Sequence, residues 1–87
     1  MNSNDVRIHP EVVSRTLEGE EVLLQLETGA YFGLNEVGTL IWKFLKTGLS
    51  RAEIIERLEN EFDVPAVEAT KDFEDFIAEL KRKALAV

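Results

Sequence analysis

The twelve residues ETGAYFGLNEVG, positions 27 to 38, constrain this chain more than any other stretch, because the spacing of apolar side chains changes period within them. Upstream, EEVLLQLE sets Val22, Leu24 and Leu26 at period two. AYFGLN repeats that pattern with Ala30, Phe32 and Leu34, so both segments read as half-buried strands. Downstream, Val37, Leu40, Ile41, Phe44 and Leu45 recur at the spacing of a helix that buries one face, with Trp42 at the edge of the stripe. A looser alternation in VVSRTL, residues 12 to 17, supplies a weaker first strand. No period-two segment follows residue 34. The order is therefore three strands and then three helices, an α+β domain with a three-stranded antiparallel sheet.

The hairpin register depends on the turn. A two-residue loop at Thr28-Gly29 places Gln25 opposite Phe32 and mixes polar with apolar faces. A three-residue loop over Glu27-Thr28-Gly29, with Gly29 left-handed, pairs Leu26 with Ala30, Leu24 with Phe32 and Val22 with Leu34. The second gives one coherent apolar face and is preferred, because a one-residue slip moves every side chain to the other side of the sheet. Tyr31, Gly33, Leu23 and Gln25 then share the opposite face.

The helix boundaries are written in capping residues. Asn35 is an N-cap, Glu36 suits the positive end of the first helix, and Gly48 ends it. Ser50 and Glu53 form a capping box, and Leu49 and Ile54 a hydrophobic staple. Ile54, Ile55, Leu58 and Phe62 supply the buried side of this second helix, which ends before DVP. The third helix runs from about Ala66 to Ala84, with Val67, Thr70, Phe73, Ile77, Leu80 and Ala84 on one face. Phe76 joins Phe73, Leu80 and Lys83 in a second row, so this helix carries more apolar surface than one core contact uses.

Charge and composition remove several function classes. The 87 residues suffice for one domain, spanning 1–87 with its ordered part near 6–85, and leave little room for a deep catalytic cavity. With no cysteine, disulfides, thiolate zinc sites and cysteine nucleophiles are excluded. No apolar run approaches membrane-spanning length, and MNSNDVRIHP lacks the hydrophobic stretch of a signal peptide, so a cytoplasmic protein is expected. The net charge of −7 opposes a phosphate backbone. The one basic cluster, Lys81-Arg82-Lys83, sits where a helix C-terminus favours cations. His9 is the only histidine and has no second ligand at metal spacing.

What remains is a sheet edge. The strand Ala30 to Leu34 carries no Lys, Pro or inward charge to block further pairing, and Gly33 inside it marks a place where another backbone could come close. An open edge beside a helix with surplus apolar surface is suited to capture an extended peptide by strand addition. The same edge could instead make a dimer, as a monomer or weak dimer with a scaffold role.

The blocks VLLQLETGAYFGLNEVGTLIWKFL, LSRAEIIERLENEFDV and DFEDFIAEL resemble the PqqD family, small domains also called RiPP precursor peptide recognition elements, over roughly residues 6 to 85. That resemblance implies a winged-helix-like fold that binds the leader segment of a ribosomally made precursor peptide and presents it to a separate modifying enzyme. Such an enzyme would be a radical-SAM maturase or a leader peptidase and cyclase of a lasso pathway. It implies a non-catalytic adaptor with no cofactor. The leader would add to Ala30, Tyr31, Phe32, Gly33 and Leu34 and lie against Asp72, Phe73, Phe76 and Leu80. A winged-helix fold also raises nucleic-acid binding, which the acidic charge opposes. Two departures stand out: Ala84-Leu85 where relatives often carry Gly-Leu, and Pro65 where a Ser or Asp cap is common. The first suggests a different final turn, and the second leaves the start of the third helix open.

Overall fold

In the computed structural model, which describes residues 6–86, the sheet is an open antiparallel meander in the order β1-β2-β3. Residues 1–5 and 87 lie outside the described residues, and with them the two ends of the expected domain and half of the polar N-terminal segment. The strands are β1 (Val12–Leu17), β2 (Glu20–Gln25) and β3 (Tyr31–Gly33), followed by α1 (Glu36–Lys46), α2 (Arg51–Phe62) and α3 (Ala66–Arg82). β1 and β2 meet at Glu18-Gly19, whose φ values of 52° and 83° are both left-handed. Two positive φ angles give a turn whose twist matches that of the strands it joins.

The second hairpin corrects the expected register by one residue. Leu24 pairs with Tyr31, Leu23 with Phe32 and Val22 with Gly33, and Gln25 N–H donates to the Ala30 carbonyl at 2.9 Å. The loop therefore holds four residues, Leu26 to Gly29, and Gly29 does take a left-handed φ of 76°. Its inward face is Leu23 and Gln25 rather than Val22 and Leu24, while Leu26 is exposed. Gln25 supplies the reason. Its buried Oε1 accepts from Glu27 N–H at 2.6 Å and its Nε2 donates to the Ala84 carbonyl at 3.4 Å, so the side chain holds the loop from inside and ties it to the C-terminal turn. A hydrogen-bonded glutamine in the interior outweighed a uniformly apolar face. Tyr31 and Gly33 do share the outer face, with Leu24 and Val13 aligned beside Tyr31 across the three strands.

The helices begin as their caps dictate. Asn35 Oδ1 accepts from Gly38 N–H at 2.7 Å, and Ser50 and Glu53 exchange both bonds of a capping box. α3 starts at Ala66, with Pro65 at the N-cap and no side-chain cap bond. The buried core joins Leu23 of the sheet to Ile41 of α1, Ile54 and Leu58 of α2, Leu80 of α3 and Leu85 just after it. Trp42 is buried rather than at an edge, whereas Val67, expected on the buried face, is 77% exposed in the first turn of α3. In α3 the buried residues are Ala69, Phe73, Phe76, Ile77 and Leu80.

The expected difference at the final turn is absent. Ala84 adopts φ 58°, the left-handed position glycine usually fills; its N–H donates to Lys81, and Leu85 N–H reaches back to Leu80. This is a Schellman ending made with alanine. Leu80 and Leu85, both wholly buried, complete it as the accompanying apolar contact. Upstream of β1, Val6 is buried, Ile8 bridges to Ala86 and His9 N–H donates to Leu85. His9 is anchored rather than part of a loose terminus: its Nδ1 accepts from Glu11 N–H and its Nε2 lies 3.2 Å from Glu27.

Candidate functional site

β3 is an edge strand, and its hydrogen-bonding parity decides what the edge displays. The bonds from Gln25 N–H to Ala30 and from Leu34 N–H to Glu21 place Ala30, Phe32 and Leu34 at positions that pair with β2. In an antiparallel ladder the intervening residues turn both amide and carbonyl the other way. The N–H and C=O of Tyr31 and Gly33 therefore point out of the sheet, two donors and two acceptors in the geometry a further strand requires.

Beside this edge lies a groove between β3 and α3, with a cavity of about 310 Å³. Phe32, Leu34, Val37 and Phe76 make its apolar floor; Asn35, Gly38, Asp72, Asp75 and Glu79 surround it. The rings of Phe32 and Phe76 stack with centroids 6.0 Å apart. Gly38 is what lets α1 close on Phe76, since a Cβ there would lie 3.0 Å from the ring. Gly38 is a site residue the sequence reading left out. Its signal was a glycine in the first turn of an amphipathic helix, where propensity alone disfavours it.

The expected site residues divide. Phe32, Gly33, Leu34, Asp72 and Phe76 come together at the cavity. Tyr31 lies at the edge with its ring on the outer face, 69% exposed, and Ala30 ends the turn before β3. Phe73 and Leu80 do not line the groove. Both are in the core, Phe73 with Arg51 of α2 over its ring at 5.3 Å, because α3 turns these positions toward α2 and the interior. Lys83, already placed in the second row with Phe76, sets its Nζ 5.5 Å from the Phe32 centroid, while Asp75 and Glu79 are lining residues the sequence reading left out. Their i, i+3, i+4 relation to Asp72 and Phe76 was the available signal. A Cβ on Gly33 would meet nothing within 4 Å, and it would point to the outer face rather than into the plane of an added strand, so nothing in the structure requires glycine there.

The rim is acidic. Asp75 pairs with Lys71 at 2.8 Å, and that hydrogen bond holds the lysine above its ordinary pKa. Glu79 pairs with Arg82, whose hydrogen bond holds its carboxyl below the usual glutamate value. Asp72 is half-buried and has no ion pair among the described residues. Among those residues no group of three His, Asp or Glu could hold a metal ion, and no helix is long and apolar enough to cross a membrane.

A three-stranded meander backed by three helices, with one strand edge open above an aromatic-floored groove, defines a class of small strand-accepting α+β domains. The chain belongs to the PqqD family: residues 20–86 match the family described as coenzyme PQQ synthesis protein D. Two solved structures are similar to it. One, TbiB1 in complex with the TbiA(beta) leader peptide, is 39% identical over 92% of this chain and 93% of that chain, with a TM-score of 0.85. The other, lasso peptide synthetase B1 complexed with the leader peptide, is 29% identical over 95% and 98%, with a TM-score of 0.89. No curated protein sequence matches the chain.

Proposed function

We propose that this domain is a non-catalytic adaptor that takes the leader segment of a ribosomally synthesised precursor peptide as a fourth strand on β3 and presents the rest of that peptide to a modifying enzyme. The observation that carries the reading is the outward-facing backbone of Tyr31 and Gly33 above the Phe32–Phe76 floor. Main-chain bonds to the edge supply affinity, and the cavity supplies selectivity. Both similar structures are complexes with leader peptides, and one is a lasso peptide synthetase component, which favours a leader peptidase and cyclase over a radical-SAM maturase as the client enzyme. The adaptor works in the cytoplasm, where precursor peptides are made. A dissociation constant between nanomolar and micromolar is expected, about −8 to −12 kcal/mol.

The test is a leader titration followed by amide NMR, with Gly33→Pro as the probe variant. Proline removes an outward N–H that β2 does not use, and an edge strand tolerates it. Wild-type Tyr31 and Gly33 amides should shift on binding. Gly33→Pro should keep the fold and lose affinity by at least the 0.5–1.5 kcal/mol that one hydrogen bond contributes, roughly two- to twelvefold. Leader binding that leaves both amides unmoved would reject strand addition. Light scattering distinguishes the alternative use of this edge, self-pairing into a dimer, by a mass that rises with concentration and not with leader.

A further inference from the structure

The groove has a charge polarity along its length. β3 and α3 run antiparallel past each other: Phe76 lies against Gly38 at the α1 end, and Lys83 lies over Phe32 at the other. The carboxylates of Asp72, Asp75 and Glu79 border the cavity, while Lys83 lies beyond that lining with its Nζ 5.5 Å from the Phe32 ring centroid. Asp75 and Glu79 each hydrogen-bond a cation of their own helix, and Asp72 makes no such bond among the described residues, although Lys71 lies within its electrostatic reach as Lys83 does within that of Glu79. Between Asp72 and Lys83 the helix rises about 16 Å, which is the length of roughly five strand residues. Side chains of an added strand that face α3 come at every second position. Three of them fit this span: one near Asp72, one over the Phe32–Phe76 floor and one near Lys83.

Resting on the strand-addition reading, we infer that this groove selects peptides of the pattern basic-x-apolar-x-acidic, written from N- to C-terminus. Every pairing in the sheet is antiparallel, and an added antiparallel strand enters at the Asp72 end. Its first inward side chain is a Lys or Arg opposite Asp72, the next an aliphatic or aromatic group on the two phenylalanines, and the third a Glu or Asp opposite Lys83. The apolar cavity and the open backbone make this a peptide site; the charges decide which peptide.

The probes are three eleven-residue peptides in a Ser/Thr/Val host with the central segments Lys-x-Leu-x-Glu, Gln-x-Leu-x-Gln and Glu-x-Leu-x-Lys. Each is titrated to millimolar concentration against the full chain at low salt, with the Tyr31 and Gly33 amides followed by NMR. Affinity should fall in that order by two- to fivefold at each step, so that the first and last differ about tenfold. Asp72→Lys should narrow or reverse the difference, and Asp72→Asn should remove about half of it. Equal affinities, or an order that ignores residue 72, with the edge amides shifting throughout, overturn the charge rule and leave the adaptor reading intact. No shift of the edge amides with any peptide overturns both.

Discussion

Replacing Phe76 by alanine separates groove from core, because Phe76 is a floor residue at 8% exposure while Phe73, three positions earlier on α3, is at 2% and enclosed. Removing a buried phenylalanine side chain destabilises by about 3 to 5 kcal/mol when the cavity stays closed. Phe73→Ala leaves such a closed void and loses the ring under Arg51, so the upper part of that range applies. Phe76→Ala opens its void into the groove, where water enters, and a loss nearer 2 to 3 kcal/mol follows. For a domain of this size the whole folding free energy is roughly 4 to 13 kcal/mol. The Phe76 variant should therefore remain folded, and where Phe73→Ala does not, the milder Phe73→Leu and Phe76→Leu pair carries the comparison. Urea denaturation gives the stabilities, and leader titration by calorimetry gives the affinities. Phe76→Ala should weaken leader binding by about 1.5 to 3 kcal/mol, the range of an anchor in an apolar pocket, while Phe73→Leu leaves it near wild type. Equal stability losses for the two positions, or unchanged leader affinity in Phe76→Ala, would refute the placement of Phe76 as the groove floor.

Ala84→Gly should raise stability by about 1 kcal/mol in the same urea assay, since glycine enters the left-handed region without the Cβ penalty alanine bears at φ 58°; a loss of stability would contradict the Schellman geometry. Gly38→Ala should push the Phe76 ring and destabilise by about 1 to 3 kcal/mol, with weaker leader binding read by calorimetry. The capping box predicts a pH dependence at Ser50, whose hydrogen bonds hold the Glu53 carboxyl below its ordinary value of 4.5. A lowered folded-state pKa means the stabilising charge is in place above the unfolded value and is lost as pH falls through the folded one. The Ser50 amide shift should accordingly titrate with a midpoint below 4.5, and a midpoint at or above it would show that the box is not formed.

Much of the fold was legible because local rules and global packing agree in it. Asn35, Ser50 and Glu53 start helices wherever the chain places them, since their side chains satisfy amides one turn away. The edge character of β3 could likewise be read from the order of strands and the lack of any blocking charge. The groove wall was half legible. Phe76 stood out by helical spacing and Asp72 only through the family resemblance, while Phe73 and Leu80 share the spacing of Phe76 and turn inward. Periodicity marks an apolar stripe wider than one contact, and it does not say which side of the stripe meets the core.

The sequence by itself determined the kind and order of the elements, their caps and the left-handed turn at Gly29, all of which depend on contacts within a few residues. Tertiary structure decided the hairpin register, because the buried amide of Gln25 bonds to Ala84, 59 positions away, and no local pattern contains that partner. It also decided the site. Which backbone groups of β3 face outward follows from that register, and the floor of the groove exists only where β3, α1 and α3 converge on Phe76.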